Sequence, residues 1–156
     1  MENLDFVIEQ PGFITQLFII PTSDIELSED KKKQGSDNPK ALICVFKERQ
    51  TQTDYTFLIR ILQAVDLQLD TNCNLYECEK NTHLSLQYSY QEKPVEIVLF
   101  FGISPKNAGL QNDWKKYRPY LLNHTYFLHI DSLGTIENDA NLKKKLWECL
   151  KFVFKK

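Results

Sequence analysis

Residues 125–154 read TYFLHIDSLGTIENDANLKKKLWECLKFVF, and this stretch decides the fold. Residues 125–130 are rich in aromatic and β-branched side chains, which predicts a strand. Asp131 and Ser132 then supply side-chain oxygens for a turn or a helix start, and Asp139 is a good helix N-cap. Five apolar residues follow at helical spacing: Leu142, Leu146, Cys149, Leu150 and Val153. They predict an amphipathic helix, which needs a sheet to pack against.

Three strands are predicted upstream of this stretch. Residues 41–46 (ALICVF) are apolar throughout, as in a central parallel strand. Residues 73–78 alternate like a half-buried strand, and residues 95–101 are the clearest strand, ended by Gly102. These strands are separated by helical or long connections, which predicts crossovers that join parallel strands. The expected fold is therefore a three-layer α/β/α arrangement with a small, mostly parallel central sheet of about four strands.

Two helices are predicted in these connections. Thr51 and Asp54 form a capping-box pattern. The helix after it would present one apolar face, made of Tyr55, Leu58, Ile59, Leu62 and Val65. Ser104 and Pro105 are an N-cap and first-helical-residue pair, so a short helix is expected there. An aromatic and basic loop over residues 114–120 then leads to the last strand.

Length and cysteine usage point to one domain in a reducing, cytoplasmic compartment. A chain of 156 residues buries a sizeable core without disulfides. The four cysteines contain no Cys-x-x-Cys pair, and we expect no signal peptide, membrane span, metal site or cofactor. The net charge of −2 gives no nucleic-acid footprint, so no direct, specific nucleic-acid binding is expected.

The charges are unevenly distributed along the chain. Residues 1–30 contain seven acids and no Lys or Arg, whereas residues 143–156 contain six Lys and one Glu. We divide the chain into an N-terminal segment and linker, residues 1–40, and one α/β domain, residues 41–156. The apolar run at residues 13–20 is either part of a partner-binding arm, residues 1–22, or an edge strand of the sheet.

The stretch from Ser132 to Trp147 resembles the C-terminal signature of the psi subunit of bacterial DNA polymerase III, Ser-Leu-x-x-Leu-x-x-Asn-Pro-x-[Ala/Leu]-[Lys/Arg]-x-x-Leu-Trp. Asp139 replaces the Asn of that signature and Ala140 replaces the Pro. The resemblance implies a uracil-DNA glycosylase-like fold without catalysis. It also implies an adaptor that binds the chi subunit through its body and the clamp-loader subunits through its arm, and so links the clamp loader to single-strand-binding protein.

The alternative is a divergent enzyme of the uracil-DNA glycosylase superfamily. Such enzymes carry a Gly-Glu-x-Pro-Gly loop after the first core strand and a His-Pro-Ser turn after the last. Here residues 47–50 read KERQ, and residues 130–132 read IDS. His129 lies one position before the place of that histidine, so its side chain would point to the opposite face of the strand. We interpret it as a histidine of the sheet. We therefore assign no catalytic, cofactor-binding or metal-ligating residues and predict that the protein is not an enzyme.

The partner-binding residues are predicted in two places. In the arm they are apolar or aromatic: Phe13, Leu17 and Phe18. In the last helix they are basic or lie on the face away from the core: Lys144, Lys151, Phe152 and Lys155. Trp147 and Phe154 border the apolar face of that helix and are expected to pack against the body of the domain.

Overall fold

The computed structural model describes residues 32–34, 39–46, 51–69, 71–78, 95–108, 110, 113–122 and 124–155. These residues form one six-stranded sheet, three α-helices and one 3-10 helix. The prediction of an α/β fold with a mostly parallel sheet is confirmed. The expected number of about four strands is too low, because a short antiparallel strand is added at each edge.

The four central strands are those that the sequence predicts. They are β2 (Ala41–Phe46), β3 (Cys73–Cys78), β4 (Ile97–Phe101) and β6 (Thr125–Ile130). All three pairings among them are parallel, in the order β3-β2-β4-β6. The carboxyl ends of these strands therefore lie along one edge of the sheet, where β2 is followed by the first helix and β6 by the last two.

The two edge strands were not predicted. β1 (Lys32–Gln34) pairs antiparallel with β3, and β5 (Tyr120–Leu122) pairs antiparallel with β6. β1 falls in residues that the sequence analysis assigns to a linker, so this part of the predicted linker is a strand of the sheet. β1 also makes β3 an interior strand, and five of the six β3 residues are buried. The expectation that β3 is half-buried is therefore wrong.

The helices begin at the capping residues that the sequence indicates. Thr51 caps α1 (Gln52–Gln63), and the capping box with Asp54 is closed by two hydrogen bonds of 3.0 and 3.1 Å. Ser132 caps the short helix α2 (Leu133–Glu137). Asp139 caps α3 (Ala140–Phe154), and its carboxylate accepts hydrogen bonds from two backbone N–H groups at 2.8 and 3.1 Å. Pro105–Ala108 forms the 3-10 helix at the predicted short helix.

All three described α-helices pack on one face of the sheet. Their buried residues share one cluster with alternate residues of the central strands, among them Ile43, Leu99 and Leu128. The cluster on the opposite face contains Ile103, Leu110 and Trp114 from the connection between β4 and β5. In the described ranges this second face is thus covered by a loop that includes the 3-10 helix. The sequence predicts α-helices on both faces of the sheet, and in these ranges they lie on one face only.

None of the helices in these ranges has the length and apolar character needed to cross a membrane.

Candidate functional site

The carboxyl edge of the sheet is where open α/β folds place their reactive groups. Two loops meet there, one after β4 and one after β6. Gly102 ends β4 with a φ of +70°, and a Cβ built on it would lie 3.0 Å from the Cβ of Ser132. Only glycine adopts this backbone conformation at little cost. The two loops are therefore in direct contact, with no room for a methyl group between them.

Asp131 lies at this edge and both of its carboxylate oxygens are bonded. Oδ1 pairs with the Lys116 ammonium, and Oδ2 accepts a hydrogen bond from the Tyr117 hydroxyl at 2.9 Å. Burial raises the pKa of Asp131, but the hydrogen bonds from Lys116 and Tyr117 outweigh it, so the pKa lies below its ordinary value. Burial, and then the bond to Asp131, raise the pKa of Tyr117. At neutral pH Asp131 is therefore ionised and Tyr117 protonated.

This network fastens the loop before β5 to the end of β6. The backbone N–H of Tyr117, which has a φ of 57°, donates to the His129 carbonyl at 2.9 Å. The Cys149 thiol of α3 donates to the Tyr117 carbonyl at 3.2 Å. Tyr117 thus links β6, the loop and α3. The sequence gives no signal for these contacts beyond an aromatic and basic loop.

His129 is a histidine of the sheet, as predicted. Its Nδ1 lies 3.5 Å from the Trp114 carbonyl, on the face of β6 away from the α-helices. Burial lowers the pKa of His129, and although the Trp114 carbonyl raises it, the net shift is downward. The imidazole is therefore neutral at pH 7 and bonded to the backbone.

The four cysteines, Cys44, Cys73, Cys78 and Cys149, are free and buried. A hydrogen bond with Cys78, together with burial, raises the pKa of Cys44. Burial raises the pKa of Cys73 and that of Cys149 to about 12. Because the thiolate is the reactive form, the thiols of Cys44, Cys73 and Cys149 are poor nucleophiles and ligands at neutral pH. In the described ranges, no three His, Cys, Asp or Glu side chains are grouped to hold a metal ion.

The predicted partner-binding residues of the last helix do not share one environment. Lys144 and Lys155 are exposed, and Lys155 adopts the left-handed conformation that ends α3. Lys151 pairs with Glu148 at 3.0 Å. The helical wheel predicts that Phe152 points away from the core, but its side chain is half-buried and its ring meets that of Tyr126 edge-on at 6.1 Å.

Trp147 is the large hydrophobic side chain that the described structure leaves exposed, with 39% of its surface accessible. The prediction that Trp147 packs against the body is therefore wrong, whereas Phe154 does pack against the helix-side core. On a helical wheel Trp147 is 100° from the buried Leu146, at the border of the apolar face. The sequence indicates its position on the helix. It does not indicate its exposure, which arises because no other described element covers the ring.

No protein-family model and no curated protein matches this chain. Phe13, Leu17 and Phe18 lie outside the residues that the structure describes, and so do residues 47–50, where a glycosylase would carry its first catalytic loop.

Proposed function

We propose that this protein is a non-catalytic, psi-like adaptor subunit of the bacterial DNA polymerase III holoenzyme. In this role it links the clamp loader to the chi subunit and, through it, to single-strand-binding protein. The observation that carries the proposal is the exposed Trp147, at the end of the psi-like signature and among the lysines of α3.

Five other signature residues have roles in folding. Ser132 caps α2, and Leu133 and Ile136 are fully buried beneath it. Asp139 caps α3, and Leu146 is buried against the sheet. Trp147 differs from these residues because it is neither a cap nor fully buried. Full burial of a large apolar side chain stabilises a fold by roughly 1.5–3 kcal/mol, and Trp147 contributes only part of such a gain. An exposed Trp is typical of a protein-binding surface.

The chemistry of the carboxyl edge favours a binding role over catalysis. A general base needs a pKa near the working pH and a free path to its substrate. Asp131 has a lowered pKa, and both of its oxygens are held by Lys116 and Tyr117. The His129 Nδ1 lies 3.5 Å from the Trp114 backbone carbonyl, on the face of β6 away from the α-helices. These contacts support the adaptor and weigh against the rival glycosylase.

Three finer statements belong to this proposal. The first is that the α/β scaffold is of the uracil-DNA glycosylase type. The second is that residues 1–22 form an arm that binds the clamp-loader subunits, while residues 41–156 bind chi. The third is a cytoplasmic location, where the replication machinery of bacteria works.

The test is reconstitution with purified clamp-loader subunits and chi from the same cell. We expect the full chain to co-elute with both on size-exclusion chromatography, and the chain lacking residues 1–22 to keep chi but lose the clamp loader. Absence of binding to both partners contradicts the proposal.

A second assay addresses the rival enzyme. The pure protein is incubated with single- and double-stranded DNA that contains uracil, and abasic sites are counted. We expect none above background. Abasic sites that form with the wild-type protein and disappear with Asp131→Asn would contradict the adaptor proposal and identify the protein as a glycosylase.

A further inference from the structure

A surface around Trp147 combines one exposed aromatic ring with three lysines. Lys143 and Lys144 precede Trp147 by four and three residues, and Lys151 follows it by four. In an α-helix these spacings place side chains one turn away on the same side. Lys143 also reaches α1, since its Nζ lies 5.7 Å from the centre of the half-buried Phe57 ring. We call these five residues the Trp147 surface.

The charge of the helical layer is opposite to that of the whole chain. α1, α2 and α3 together contain five Lys or Arg and three Asp or Glu, whereas the chain carries a net charge of −2. Two of the three acids are also engaged. Asp54 is buried in the capping box of α1, and Glu148 pairs with Lys151. Glu148 therefore neutralises Lys151, and the excess positive charge beside Trp147 lies on Lys143 and Lys144.

We infer that the Trp147 surface binds an acidic peptide segment of a partner protein, with one large apolar side chain of the peptide against Trp147. The inference rests on the proposed adaptor function and names the chemistry of one partner. Carboxylates on both sides of the apolar residue would lie beside Lys143, Lys144 and Lys151. The lysine stems would add apolar contact area while their ammonium groups stay in water, and the opposite charges would speed association.

A peptide fits this surface better than a single-stranded nucleic acid does. Proteins that bind single strands stack successive bases on several aromatic rings along a basic groove, and their domains are usually basic overall. Here Trp147 is the exposed large aromatic among the described residues, and the sequence pI is about 5.9. One apolar anchor between charged neighbours is the arrangement expected for a peptide.

The test is fluorescence anisotropy with the full-length protein and a short fluorescein-labelled peptide in which Asp residues flank one central Trp. We expect micromolar binding that weakens when salt is raised from about 50 to about 300 mM, because salt screens the lysines. Trp147→Ala should weaken binding at least about tenfold. The double variant Lys144→Glu/Lys151→Glu should do the same, and it leaves the aromatic ring in place as a second, independent measurement.

Lys145→Glu is the matched control. It reverses one lysine charge on the same helix, as each half of the double variant does, but the Lys145 Nζ lies 6.0 Å from the Tyr117 ring, on the other flank of α3. We expect it to change peptide affinity less than about threefold, as a distant charge does. Equal loss of affinity in this control and in Lys144→Glu/Lys151→Glu would overturn the inference, because the effect would then be one of net charge.

Three other results would overturn the inference. The first is wild-type affinity in Trp147→Ala. The second is tighter binding of a labelled oligothymidylate than of the peptide, which would assign the surface to nucleic acid. The third is peptide binding that appears only after deletion of residues 1–30, which would make the acidic N-terminal segment the occupant. The peptide assay contains neither the clamp loader nor chi. Its failure would therefore leave the adaptor function standing, and failure of the reconstitution would leave peptide binding standing.

Discussion

Replacing Leu150 with Ala should destabilise the protein strongly, because this residue holds α3 on the sheet. Leu150 is 1% exposed and belongs to the helix-side core with Leu146, which is 3% exposed. Truncating a fully buried Leu costs roughly 2–5 kcal/mol through lost burial and the cavity left behind. A loss of about 3 kcal/mol is a large part of the total stability of a domain of this size.

Urea denaturation followed by circular dichroism measures this loss. With an m value of about 2 kcal/mol/M, a loss of about 3 kcal/mol lowers the urea midpoint by about 1.5 M. Leu146→Ala should lose a similar amount of stability, and Leu142→Ala should lose less, because Leu142 is only half-buried. Lys144→Ala is the control on the same helix, and it should stay within about 0.5 kcal/mol of wild type. A Leu150→Ala midpoint equal to that of the control would refute the docking of α3 described above.

The remaining predictions concern caps, backbone and charge. Thr51→Ala opens the capping box of α1 and should cost about 1 kcal/mol in the same urea assay. Gly102→Ala places a Cβ at a φ of +70°, 3.0 Å from Ser132, and should cost more than about 1 kcal/mol; a stabilised variant would contradict the close contact. Asp131 has a pKa below its ordinary value in the folded state, so its contribution to stability is present above about pH 4 and is lost as pH falls through the folded pKa. Asp131→Asn should therefore lower the melting temperature at pH 7, and the difference in melting temperature between the variant and wild type should be smaller at about pH 3. The same difference at both pH values would contradict a stabilising role of the ionised Asp131.

The central strands and the helix starts were readable from the sequence because their signals are local. β2 and β4 are continuous apolar runs between polar residues. Thr51 and Asp139 are caps followed directly by residues at helical spacing. Such patterns depend on neighbours within one or two turns, so no knowledge of tertiary contacts is needed.

The parts that were missed depend on contacts between distant residues. β1 and β5 have three residues each, too few to show a period of two, and each is a strand only because it pairs with β3 or β6. Lys116 and Asp131 are 15 residues apart, and nothing in their spacing announces an ion pair. The exposure of Trp147 likewise depends on which elements reach the border of α3 in the folded chain.

The short outer strands also govern how this protein meets other chains. An unpaired sheet edge offers backbone donors and acceptors to an incoming strand, and this is how edge-to-edge aggregation and peptide recognition by strand addition begin. Here each outer strand presents three residues, and the register of β1 shifts between Lys32 and Gln34. In the described ranges an added strand would therefore find few backbone groups in register. Strand addition at these two edges should therefore be unfavourable, and a partner that binds the described part of the chain should contact its helices and side chains.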